Sequence, residues 1–469
     1  MTIRSRRSVP IDRGFGMLCV AATIFLLGVR SAPAQFGAVG GVSVDPQGML
    51  RHASTLAPDE RLAGLRAEAL ARPPAEVAQA SPLRKISLRR LEEAVARLYA
   101  AGQPLPSDLR HLAGLTAVRY VFIDPEAGDV ILAGPAEGWS LAETGEVVGT
   151  RSGRPVLHLD DLVVALRFAF GENPADGFIG CSIDPTEEGV KNYATYMRRL
   201  GAIDRARIGP IFTGMERAMG PQAIRLFGVE ESSRTALVLV AADYRLKRIA
   251  LGHDPSPVRE VVNYLDLSAR RFNRRAAQKQ HRWWFMGHYD AVYHTPDELA
   301  FELAGQGVKV VTARTPPTSA SAGGDPTADP DGDPPSPAAV EFADALTKHF
   351  AAVAEALPVF LELQNLVGLA TAAELTAQSA GAGGWKPLQF LDARACPLER
   401  SHVPQTVPSL ANYRLIQGRN WLISVSGGVE IDPRDLAGRR FRRESPERGL
   451  AELRAEARRP AGTDRWWWD

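Results

Sequence analysis

The chain has 469 residues, of which 45% are hydrophobic and 23% charged, with a formal charge of +1. So even a balance gives no global reason to bind nucleic acid, and the apolar content excludes a disordered or fibrous chain. The length suits two or three domains, or one large domain with extensions.

The first thirty-four residues read as an address. Arg4, Arg6 and Arg7 make a basic start, Phe15 to Val29 an apolar run, and Ala32-Pro33-Ala34 the small-residue pattern at which a signal peptidase cuts. The run falls short of the roughly 20 residues that span a bilayer as a helix, so export with cleavage near Gln35 is expected, with no transmembrane segment afterwards. Cys19 leaves with this leader. Cys181 and Cys396 then lie where disulfides can persist, although Cys181 shares a strand face with Ile179 and Ile183 and reads more readily as a buried thiol.

Beyond the leader, residues 36–72 and 81–102 read as mostly helical, and Leu88, Leu91, Val95 and Leu98 fall at helical spacing before the stop at Gly102. From Ala117 the period changes to two, and AVRYVFI, the turn DPEAG and DVILAG predict a β-hairpin. A helix over 158–170, a buried strand FIGCSI, a helix over 184–200, a strand AIRLFGV and a long helix over 233–251 stopped by Gly252 follow. Asp254-Pro255 opens a further helix to about Asn273. His281 to Ala313 parses as three strands with turns at Thr295-Pro296-Asp297 and Gly305-Gln306-Gly307. Residues 314–337 are almost wholly Pro, Gly, Ala, Ser, Thr and Asp, the composition of a disordered linker. Two helices broken at Pro358 then form an αα-hairpin, with Phe342, Leu346, Phe350, Val353 and Leu357 as a stripe. A last hairpin, YRLIQGRNWLISV, precedes a tail with ten Arg and seven acids from Arg434 to Asp469.

One device repeats: GGVSVDP at 40–46 returns as GGVEIDP at 427–433, with looser forms at 122–125 and 182–185. Both full copies are expected to enter the main sheet, their glycines allowing close backbone approach. The Asp residues of the device, Asp45, Asp124, Asp184 and Asp432, read as caps and turn residues, with Asp184-Pro185 and Asp432-Pro433 opening helices.

Candidate chemistry is thin. His288, Asp290 and His294 share one strand parity, but His288 and His294 would stand about 20 Å apart at strand rise, too far to share an ion, so this face reads as solvent-exposed. Asp243 and Lys247, four apart on a helix, read as a surface ion pair. DPDGD at 329–333 lacks the glycine and the closing Glu of a calcium loop. Trp466, Trp467 and Trp468 read as exposed indoles that engage a partner groove or a membrane interface, or idle in a low-complexity tail. No catalytic, cofactor or metal residue is assigned.

Several segments (GGVSVDPQGML, CSIDPTEEG, ADYRLKRIALG, HRWWF, FELAGQGVKV, FADALTKHF and FLELQNLVGLA) together resemble a family of exported bacterial proteins of unknown function, typical of planctomycetes. The resemblance implies localisation and a large domain between about Gly40 and Asp432, and supplies no activity. The expected architecture is a mixed α+β fold: a signal peptide over 1–34, a helical arm over 35–110, a core over 111–313, the linker over 314–337, an αα-hairpin and terminal β-hairpin completing the core over 338–433, and a polar tail over 434–469. Function is expected to be non-catalytic binding or structure at the cell envelope or exterior, with an envelope or extracellular protein as the partner and no nucleic acid. The alternative is a hydrolase assembled from scattered Asp, His and Ser.

Overall fold

The stretch from His281 to Thr312 forms four strands, not three, and they divide between two sheets. Gly287 is where the first of them ends, and the next begins at Ala291 in the other sheet. The computed structural model describes residues 42–44, 50–52, 73–142, 146–171, 177–200, 208–270, 281–312, 335–383, 388–392, 396–401, 403–416, 419–458 and 465–469, all within the unit Ala38–Asp469. The leader, the cleavage site, Asp45 and the linker up to residue 334 lie outside the described residues.

In chain order the elements begin with β1 (Val42–Val44), β2 (Leu50–His52), α1 (Ala75–Ala78), β3 (Ser81–Ser87), α2 (Leu88–Ala100), α3 (Ser107–Arg110), β4 (Tyr120–Asp124) and β5 (Asp129–Ala136). Next come β6 (Trp139–Leu141), β7 (Val147–Gly149), α4 (Leu159–Phe170), β8 (Ile179–Pro185), α5 (Glu187–Leu200), α6 (Ile208–Met219), β9 (Gln222–Phe227), α7 (Arg234–Ala250) and α8 (Tyr264–Arg270). The middle holds β10 (His281–Gly287), β11 (Ala291–His294), β12 (Ala300–Ala304), β13 (Val308–Thr312), α9 (Pro337–Lys348), α10 (Phe350–Ala356) and α11 (Pro358–Gly383). The chain closes with β14 (Thr406–Val407), β15 (Ala411–Ile416), β16 (Arg419–Ile431), α12 (Pro433–Leu436), β17 (Arg442–Glu444), α13 (Leu450–Glu456) and β18 (Trp467–Trp468).

The fold is α+β, as expected. One mixed sheet runs β17-β11-β12-β4-β5-β3-β18, and the other β13-β10-β16-β8-β9-β14 with β15 on β16. The long helix α11 packs against α4, α7, α10 and α12 and touches β4 and β13, one strand from each sheet. Its Leu361, Leu363, Leu366, Leu369, Ala372 and Leu375 are buried, as a helix apolar on most sides must be. Among the described residues no single helix is long and apolar enough to cross a membrane, and α10 meets α11 at a bend of 118°.

Several expectations hold. The β4–β5 hairpin forms, with the Ala127 N–H donating to Asp124 Oδ1 at 3.1 Å. Gly102 and Gly252 stop α2 and α7 at φ +63° and +68°. Asp432 caps α12 by accepting from the Asp435 N–H, and the Phe342-to-Val353 stripe is buried. The β15–β16 pair forms the terminal hairpin, and Cys181 and Cys396 are free and buried.

Others need correction. Residues 81–87 are strand β3, seated between β5 and β18, and the helix starts only at Leu88, where the Ser87 hydroxyl caps it by accepting from Arg90 N–H. Within 36–72 the described residues are two short strands. GGVEIDP enters the sheet between β10 and β8, where a Cβ on Gly427 would stand 1.8 Å from the Trp283 carbonyl oxygen and one on Gly428 2.0 Å from that of Cys181. By contrast β1 pairs with β2 in a separate two-stranded sheet, so the first copy of the device does not join the main sheets. Asp184 stays in β8, and Thr186 accepts from Gly189 N–H at the start of α5 instead. The helix expected from Asp254 begins only at Tyr264, because proline at 255 and 257 drives each preceding residue out of helical geometry. Residues 434–469 are not a free tail: β17 and β18 are the two outer strands of the first sheet.

Candidate functional site

Three helices begin at one place. His158 is the extended residue before α4, and Asp160 and Asp161 occupy its first turn. Ser233 caps α7 by accepting from the Ala236 N–H at 3.2 Å, which sets Arg234 and Thr235 at the start of that helix. Glu362 and Asn365 lie near the start of α11, where Asn365 Nδ2 donates to the Pro155 carbonyl at 3.2 Å. Acids in a first turn are favoured by the helix dipole, which partly offsets the crowding of carboxyls.

Arg234 ties the three helices together. Its guanidinium donates to Asp161 Oδ2 and to Glu362 Oε1, and Thr235 Oγ1 donates to Asp161 Oδ1 at 2.8 Å. The side chains of Asp161, Glu362 and Arg234 are 4%, 11% and 19% exposed, so the clamp is internal. A fourth segment supplies His111, whose ring meets His158 edge-on at 5.0 Å and Trp139 at 5.4 Å. The backbone just after His111 is left-handed at Leu112 (φ 43°) and Ala113 (φ 51°), a conformation uncommon for residues with a side chain.

Burial governs the protonation of this junction. It lowers His111 to about 3, assisted by Arg234 and Arg110, and holds His158 well below its ordinary value, so both imidazoles are neutral. Burial also pushes Asp160 up to about 7, with Glu399 and Asp161 adding repulsion. Glu362 is likewise pushed to about 7 by burial, which outweighs the attraction of Arg234. Burial alone would lower Arg234; its two carboxylate partners reverse that and raise it. The neighbouring Cys396 thiol is driven up to about 11 by burial, so it carries no thiolate at neutral pH. The half-buried surface of the junction therefore presents a carboxyl able to gain or lose a proton near neutrality, a neutral imidazole and a guanidinium.

The candidates read from the sequence lie elsewhere. Asp243 and Lys247 are not on the surface: their side chains are 0% and 1% exposed, and Lys247 Nζ donates to Asp243 Oδ2 at 2.7 Å and to the Ile183 carbonyl at 2.9 Å. This pair faces β8, near Cys181, whose thiol burial raises well above its ordinary value. His288 follows the end of β10 half-buried, with its ring 5.3 Å from Phe441, while His294 ends β11 in the other sheet, so the common strand face does not exist. Among the described residues no group of three or more His, Cys, Asp or Glu side chains is placed to hold a metal ion. The three tryptophans are each no more than 9% exposed. Sequence reading missed the junction because its members are scattered along the chain from His111 to Glu362. The visible signals were the acidic pair following His158 and the Ser233-Arg234-Thr235 helix start.

Residues 181–264 match a family described as a protein of unknown function (DUF1598). The matched stretch runs from β8 to the first residue of α8 and includes Cys181, Arg234, Asp243 and Lys247, but not His158, Asp160 or Glu362. The resemblance to a family of unknown function holds over that part of the chain. No curated protein and no solved structure matches it.

Proposed function

We propose that this is an exported protein of the cell envelope or exterior that acts by binding, through the junction where α4, α7 and α11 begin. The observation that carries the reading is the Arg234 clamp on Asp161 and Glu362, with the half-buried His158 and Asp160 at the same helix start. Partly accessible polar side chains held by a hydrogen-bonded clamp are what a binding site requires. Above about pH 7, where Asp160 and Glu362 ionise, these two and Asp161 place three carboxylates around the Arg234 guanidinium, so the favoured ligand brings a positive, hydrogen-donating group. Export rests on the basic start, the apolar run and Ala32-Pro33-Ala34.

Two measurements test this. Arginine amide, used as a cationic probe, should raise the melting temperature of the wild type at pH 8 but not that of Asp160→Asn, since a ligand stabilises only what it binds. Equal shifts in both would remove the junction from the reading. Mass spectrometry of the protein from its producing cell should give an N-terminus at or near Gln35, whereas intact Met1 protein in the cytosol would refute export.

A second reading, hydrolysis, is favoured by Asp160 itself, a carboxyl poised near neutrality two residues after the neutral imidazole of His158. Turnover of chromogenic esters, phosphoesters or glycosides that is lost in Asp160→Asn would establish it in place of binding.

A further inference from the structure

The last strand is held by a site shaped for it. β18 runs antiparallel to β3, with Trp467 opposite Ile86 and Trp468 opposite Lys85, and Ser87 N–H donates to the Trp466 carbonyl at 2.9 Å. In the middle of β3, Arg84 is entirely buried. Its Nη1 donates to the carbonyls of Val77 at 2.9 Å and Ala113 at 2.7 Å, and its Nη2 to that of Gln79 at 2.9 Å. Its Nε and Nη2 reach the Asp469 carboxylate at 2.8 and 3.1 Å, and the guanidinium stands 4.8 Å from the centre of the Trp467 ring. Three carbonyls fix the guanidinium in place, and a carboxylate brought by the strand neutralises it.

That division of labour defines a receptor. The β3 edge supplies main-chain pairing, which accepts any extended segment, while Arg84 selects one with an aromatic residue two positions before an acid. An emptied receptor leaves a buried guanidinium without its counter-ion. A released strand turns Trp466, Trp467 and Trp468 out into water. Each half therefore complements the other.

We propose that the β3 edge and Arg84 also take this strand from a second copy of the chain, so that two chains exchange Trp466–Asp469. The exchange forms no contact absent from the single chain, which is why it requires no further surface.

The test uses the full chain and a fluorescent peptide spanning Arg465 to Asp469. In Asp469→Asn protein the resident strand loses its hold on Arg84, so the peptide should bind at least tenfold more tightly than to the wild type. A peptide with Asn in place of Asp should bind at least tenfold more weakly. Equal uptake by the two proteins, or equal binding of the two peptides, would overturn the receptor. Should Asp469→Asn not fold, full-length Trp467→Ala, which removes the ring from Arg84, takes its place with the same criteria. For the second copy as source, wild type refolded at rising concentration should yield a dimer that excess peptide prevents. A strict monomer, or a dimer indifferent to the peptide, would overturn the exchange.

Discussion

Replacing Asp160 by Asn and His111 by Gln should tilt the pH profile of stability in opposite directions. Asp160 ionises at about 7 in the folded chain because of burial and then Glu399 and Asp161, against an ordinary 3.8. Between those values the folded chain keeps a proton that the unfolded chain has released, so stability falls as pH rises through the window. Asn has no such proton, and Asp160→Asn gains on the wild type from pH 4 to pH 8. The displacement corresponds to at most ~4 kcal/mol. Solvent at the half-buried side chain reduces it to about 2 kcal/mol. His111 behaves in the inverse sense. Burial, then Arg234 and Arg110, hold it at about 3 against 6.5, so the folded chain lacks a proton that the unfolded chain binds, and stability is lost as pH falls through that window. His111→Gln should therefore gain on the wild type towards low pH, by roughly 2–4 kcal/mol. Urea unfolding followed by tryptophan fluorescence in steps of pH reads both differences, and subtraction from the wild type removes the groups that the variants share. Profiles that tilt the same way, or differences constant in pH, would refute the buried junction.

Removing one partner of the buried Lys247–Asp243 pair should be severe: Lys247→Met is expected to lose about 3–5 kcal/mol in urea unfolding, and Asp243→Leu with Lys247→Met together to recover most of it. A loss below about 1 kcal/mol would put the pair in water. Gly427→Ala should lose roughly 2 kcal/mol or more, because its Cβ would stand 1.8 Å from the Trp283 carbonyl oxygen and the sheet must shift to admit it; an unchanged unfolding midpoint would contradict that packing. Asp432→Ala should lose about 1 kcal/mol through the vacated cap of α12, read in the same assay.

Periodicity made much of the fold legible. α2, α4 and α7 follow their apolar spacing, α2 and α7 end where glycine takes a left-handed conformation, and the β4–β5 hairpin follows its turn. What periodicity could not give was which sheet a strand joins. β10 and β11 are separated only by His288, Tyr289 and Asp290, and nothing in those residues announces a change of sheet. The burial of Asp243 and Lys247 was within reach. Ala242, Tyr244, Leu246 and Ile249 surround them on a helix apolar on most sides, and charges on such a helix must find each other. The tail misled because ten arginines suggest solvent, while several of them lie against the first sheet: Arg448 is paired with Glu302 and set over Tyr293, and Arg454 is paired with Asp297. The junction was legible only in parts. His158-Leu159-Asp160-Asp161 has the look of a helix start, but its partnership with Arg234 and Glu362 is a product of the tertiary fold.

The most direct measurement is a carboxyl-carbon NMR titration of Asp160, with and without arginine amide. A carboxyl enclosed by the junction should titrate near pH 7 in the free protein, and its midpoint should fall when the cation binds, because an adjacent positive charge favours the ionised form. A midpoint near 4 that the cation does not move would mean that Asp160 is an ordinary surface acid, and the junction would not be a binding site.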